Sequence, residues 1–225
     1  MTDDIFRHAD ASLEILFRGI GREFQFLSTE IGFDELNILE TRKRVNEMYQ
    51  RLDSMVRREY RRICQRAYLD GCRDCGHPAD DFDTFGFVVT MLRAYDPLSE
   101  FVYTREWTRK RDRLFESIIA TERGNQEMRR NLKRGLDVLS NQVRQYADEI
   151  TIKARLEAFK RSGIQYVRWI AEKDDKTCET CWDRDKVIYP MDQFPMLPAH
   201  WHCRCHCMPA TEDEYKEQQR TKFEN

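Results

Sequence analysis

Long apolar runs are absent from this chain. The longest candidate, residues 85–92, falls far short of the roughly 20 residues that cross a bilayer, so no membrane span is expected. The opening residues, MTDDIFRHAD, are acidic and lack the apolar core of a secretory leader. The expectation is synthesis in a reducing cytoplasm, where clustered cysteines lean towards metal rather than disulfide. Glycine is scarce, 9 of 225 residues, and scattered. No G-x-x-x-x-G-K-S/T loop occurs, which excludes P-loop nucleotide chemistry. Proline is scarcer still, at 6, and internal repeats and low-complexity tracts are missing, which excludes solenoid and linker-type chains. Net charge is nearly missing too: 38 Lys/Arg oppose 40 Asp/Glu.

What is present is charge in quantity. Charged residues make up 35 % and aromatics 12 %; the aromatics argue for folding, and the charge for long helices with solvated faces. Leu13, Leu16, Phe17, Ile20, Phe24 and Leu27 recur every three or four residues and predict a first amphipathic helix ending near 28–32. Asp34 is the expected cap of the next. Val45, Met48, Tyr49, Leu52, Met55, Val56, Tyr60, Ile63 and Ala67 mark that long helix, with Asp70 and Gly71 as its stop. A short apolar helix over 85–95, closed by Asp96 and Pro97, and a charged one over 98–121 follow. Met128, Leu132, Leu136, Leu139, Val143, Tyr146 and Ile150 mark a second long helix, begun by Asn125 and expected to pack antiparallel against the first long one. Gly135 inside it costs about 1 kcal/mol relative to Ala.

Beyond Ser162 and Gly163 the apolar period falls to two, which predicts strands over 164–170, 187–189 and 204–208. Thr211 and Glu214 form a capping box for a tail helix. The expected division is a helical region over 1–162, a small β-rich module over 163–210 and a charged tail over 211–225. The fold class is mainly α: an elongated helical region with two long amphipathic helices, then a zinc-ribbon-like cysteine/histidine module.

That module holds five of the eight cysteines. Cys178 and Cys181 form C-x-x-C; His200, Cys203 and Cys205 form H-x-x-C-x-C, with Cys207 beyond. A pair of soft donors, a spacer and a second soft cluster match a closed tetrahedral zinc site. A structural zinc would also supply the stability that so few residues cannot draw from apolar burial. A disulfide or reduced, packed thiols are the alternatives. Cys178 and Cys181 belong to any zinc set, and two of His200, Cys203 and Cys205 complete it. Cys64, Cys72, Cys75 and His77 offer a second possible set, read as a polar loop with incidental thiols. His200, His202 and His206 with Asp174, Asp175, Asp183 and Asp185 allow a metal nuclease or hydrolase to be drawn. A cysteine-rich donor set favours a closed site over an open catalytic one, so no enzyme is expected.

The run D-D-K-T-C-x-x-C, then K-V-I-Y-P, then P-x-H-x-x-C-R-C-x-x-x-P resembles the C-terminal signature of phage Mu F-like minor head proteins, the phage head morphogenesis family. Asp175, Thr177, Cys178, Cys181, Lys186, His200, Cys203, Arg204 and Cys205 fall on its positions. Lys176 replaces the family's usual Arg, Asp185 its Gly, and Trp201 with His202 its Pro-Asn, over a signature of about forty residues. The resemblance implies a structural minor head protein of a tailed double-stranded DNA phage or prophage. It would be made in the host cytoplasm and carried in the virion head near the portal, in multiple copies. Portal protein, major capsid protein or both would be its partners, with a role in head morphogenesis or genome delivery.

Residues 101–170 hold sixteen Lys/Arg against nine Asp/Glu. Within them Arg109, Lys110, Arg111 and Arg113 are candidate contacts to packaged DNA, and a zinc-module DNA-binding adaptor is the second functional reading. A solvated helical face explains the same residues.

Overall fold

The computed structural model describes residues 7–33, 37–93, 103–121, 126–200 and 203–223. Asp34, Asp96, Pro97, Asn125 and His202 lie outside them. Helix α1 runs over Arg7–Phe33 and α2 over Ile38–Asp74. Asn37 opens α2, its side-chain oxygen accepting the Glu40 amide at 2.9 Å. Helix α2 does not stop at Gly71. It ends three residues later in a Schellman turn: Gly76, at φ +67°, donates to the Arg73 carbonyl, and His77 donates to that of Cys72, both at 3.0 Å. Gly71 instead lies against α5, where an added Cβ would sit 2.8 Å from Ala158 Cβ. Helices α3 (Thr84–Arg93), α4 (Tyr103–Ile119) and α5 (Gln126–Arg161) follow. Asp83 caps α3, and α5 ends in a second Schellman turn at Gly163 and Ile164.

The chain forms two compact units. One is built on Asp10–Arg62 and Asp83–Tyr146. Its core is the predicted stripes: Leu13, Leu16, Ile20, Val45, Met48, Leu52, Val56, Leu139 and Val143 are all buried. Glu30 pairs with Arg44 and Glu23 with Arg51, so α1 and α2 are antiparallel. Asp10 pairs with Arg144, and Gly135 faces Phe24, so α1 and α5 are antiparallel as well. Helices α2 and α5 therefore run parallel, not antiparallel. The physical reason is connectivity: α3 and α4 intervene, and only neighbours joined by a short turn must reverse direction.

The other unit is built on Ile63–Phe82 and Ala147–Asn225. It contains β1 (Tyr166–Ile170), α6 (Glu179–Asp183), β2 (Ile188–Pro190), β3 (His206–Ala210) and α7 (Glu212–Phe223). The strands form an antiparallel sheet in the order β2-β1-β3. The helix-to-strand change at Ser162 and Gly163 falls inside this unit, because Ile152 and Phe159 of α5 join the cluster of Val167, Trp169, Cys181, Leu197, Cys203, Cys205 and Cys207. Arg155, buried beside them, pairs with Asp74 and stacks on Phe159. The expected capping box opens α7: the Thr211 amide donates to Glu214 at 2.8 Å, and the Glu214 amide returns to the Thr211 hydroxyl at 3.3 Å.

Both edges of the sheet are stopped. The Trp169 amide donates to the Val187 carbonyl at 2.9 Å. By antiparallel alternation, Ile188 and Pro190 turn their backbone outward from β2, and Cys207 and Pro209 do so from β3. The Gln218 side chain takes both polar groups of Ile188, at 2.7 and 3.0 Å. Arg155 donates to the Cys207 carbonyl. The two prolines offer no donor at all.

Candidate metal centre

The site is assembled from two short segments around α6. In the first, the Asp174 carboxylate accepts the Lys176 amide at 2.9 Å, and the Thr177 hydroxyl donates to the Glu172 carbonyl. This tight turn delivers Cys178 to the N-cap of α6, where its sulfur accepts the Cys181 amide at 3.4 Å. One turn of helix then aims both sulfurs to the same side. The Cys181 amide, Cys181 itself and His200 hold the Cys178 thiol below its ordinary range, whereas burial pushes Cys181 up.

In the second segment the Cys203 amide donates to the His200 carbonyl at 3.2 Å. His200 Nε2 lies 3.2 Å from the sulfurs of both Cys178 and Cys181. Cys203 Sγ lies 3.8 Å from Cys181 Sγ. The donors of Cys178, Cys181 and His200 lie within 4.8 Å of one another, and so do those of Cys181, Cys203 and Cys205. Cys181 belongs to both groups. Metal bonds of 2.0–2.3 Å imply tetrahedral edges of roughly 3.5–3.8 Å, so these clusters could hold a metal ion such as zinc. The free space among Cys178, Cys181, His200 and Cys205 is about 10 Å³, room for an ion or one water molecule. All eight cysteines are free thiols. Hydrogen bonding with Cys205 makes Cys203 the preferred thiolate of the two, with a pKa lowered to about 5.

The five sequence-predicted donors are thus brought together. The amino-terminal set is not: among the described residues, Cys64, Cys72, Cys75 and His77 form no cluster of donors. Cys64 is wholly buried on the apolar face of α2, its pKa pushed up to about 12 by burial, and His77 is exposed. His206 also stands apart. It starts β3, buried, and burial followed by Arg155 lowers its pKa to about 4. Asp185, named above beside the histidines, has a structural task. Burial pushes its carboxyl up, but the Lys173 ammonium at 2.7 Å and the Ala171 amide at 3.0 Å outweigh that and lower it. The left-handed residue of this turn is Lys186, at φ +64°.

The four basic candidates of α4 do not share a face. Arg109 and Arg113 are exposed one turn apart, while Lys110 and Arg111 are half-buried. Arg109 pairs with Glu106 at 3.3 Å and Arg111 with Asp112 at 2.9 Å. Sequence reasoning missed Arg204 as a structural partner. Its guanidinium forks onto both oxygens of Asp174 and holds that carboxyl well below the usual range. The signal was its place between Cys203 and Cys205, which brings a charged side chain to the edge of the donor cluster. Comparison with family models, curated proteins and solved structures finds no match to this chain.

Proposed function

We propose that the carboxy-terminal module is a scaffold closed by one structural zinc, and that the chain is a minor head protein of a tailed double-stranded DNA phage. One observation carries the first part: four soft donors from two segments, Cys178, Cys181, His200 and Cys205, line one space of about 10 Å³, and a fifth, Cys203, lies with its sulfur 3.8 Å from that of Cys181. Cys178, Cys181 and His200 supply three ligands, and the fourth is a sulfur of Cys203 or Cys205. Neutral His200 and the thiolates would hold the ion; tying the two segments together is its whole contribution. The phage reading rests on the resemblance, whose matched residues Cys178, Cys181, His200, Cys203, Arg204 and Cys205 are the ones gathered at this centre. Its partners are then portal or capsid protein. Pairing within α4 weakens the adaptor reading, because Glu106 and Asp112 neutralise half of the candidate DNA contacts.

Metal analysis of protein purified without chelator tests the scaffold. One zinc per chain is expected, lost in Cys178→Ser; a metal-free chain with eight reactive thiols would overturn it. Pull-down with the portal and major capsid proteins of the same phage tests the second part. Capture by neither would sink it.

A further inference from the structure

Asp174 and Arg204 sit at the two ends of the candidate centre. Asp174 precedes Cys178 by four residues, and Arg204 lies between Cys203 and Cys205. The carboxylate accepts both arms of the guanidinium, and one of the same oxygens also accepts the Lys176 amide. An ion pair this exposed adds little stability by itself. Its position gives it another use. Arg204 is joined through the backbone to both sulfur-bearing residues, so tying its side chain to Asp174 restrains Cys203 and Cys205 where they face Cys181. The same contact holds the turn that presents Cys178. Arg204 and Lys176 also line the small space between the sulfurs, where they offset the negative charge that several thiolates bring to one divalent ion.

We infer that Asp174 and Arg204 form a latch on the metal centre: positioning residues, not ligands, that set how tightly the ion is held and how slowly it leaves. The inference rests on the zinc reading. Partners that orient ligands in this way change metal affinity by about 10–100-fold when removed.

The test is zinc affinity and release to a chromogenic chelator in the full chain, for wild type, Asp174→Asn, Arg204→Lys and the double variant. Arg204→Lys keeps the charge and loses the fork, so it reads the latch even if Asp174→Asn fails to fold. Each single variant should bind zinc at least tenfold more weakly and release it faster, and the double should be no worse than the weaker single. Variants within threefold of a zinc-binding wild type would overturn the latch and leave the zinc reading standing. Equal losses of stability with and without zinc would also overturn it, since a merely structural tie acts on both forms. A wild type that binds no zinc would fail the underlying reading instead.

Discussion

Gly21, Gly71 and Gly135 lie inside long helices, and the same substitution should have a different outcome at each. Gly21→Ala places a methyl where nothing lies within 4 Å. Only helix propensity changes, a gain of about 1 kcal/mol. With a urea slope of about 2 kcal/mol/M, the midpoint should rise by about 0.5 M. Gly71→Ala places its methyl 2.8 Å from Ala158 Cβ and 3.2 Å from both Cα and the carbonyl oxygen of Arg155. None of these atoms can rotate away, so α5 must move off α2. Overpacking of this kind costs about 1–3 kcal/mol, and rigid neighbours put the site at the upper end. After the propensity gain the net loss is about 2 kcal/mol, a midpoint lower by about 1 M. Gly135→Ala falls between, because Leu114 Cδ1 at 3.0 Å and Phe24 Cε1 at 3.3 Å are ends of side chains that can yield. Urea unfolding followed by far-ultraviolet circular dichroism orders the three. A Gly71→Ala protein as stable as Gly21→Ala would refute the close approach of the two helices.

Two further outcomes follow from buried groups. His206 has its pKa lowered to about 4 from an ordinary 6.5, so the unfolded chain takes up a proton that the folded chain refuses. Stability should be unaffected above about pH 6.5 and fall by about 1.4 kcal/mol per pH unit from there towards 4; His206→Gln should flatten that slope relative to wild type in unfolding curves at pH 6.5, 5.5 and 4.5. Arg155→Met keeps volume but leaves Asp74 and the Cys207 carbonyl without the guanidinium. A loss of about 2 kcal/mol is expected, below the usual range for a broken buried pair because Asp74 is partly solvated, and adding Asp74→Asn should restore part of it. An Arg155→Met chain unfolding at the wild-type urea midpoint would count against that account.

Periodicity and caps made most of the elements legible. The stripe from Val45 to Ala67 is the buried face of α2, and Thr211 with Glu214 caps α7 through both halves of the box. The donors Cys178, Cys181, His200, Cys203 and Cys205 were legible because ligand spacing is local. What stayed hidden depends on distant partners. Gly71 reads as a helix stop until Ala158, far along the chain, is seen against it. Arg155 looks like one more charge on a charged helix, and only the fold supplies Asp74 and the Cys207 carbonyl. The parallel course of α2 and α5 follows from the path of α1, α3 and α4, which no stripe encodes. Choosing between Cys203 and Cys205 is hard for a different reason: two residues apart in extended chain, both face the same side.

The stopped edges of the sheet bear on how copies of this chain can meet. A strand laid along β2 would find Pro190 without a donor and Ile188 already engaged by Gln218. Along β3 it would find Pro209 and a carbonyl held by Arg155. Exposed strand edges are templates for runaway pairing when many chains are crowded together. Among the described residues neither edge of the sheet offers a complete ladder, which works against zipping into fibres where copies are crowded. A neighbour would then have to be recognised through side chains, where single substitutions can tune the contact, and not through backbone ladders that accept almost any sequence.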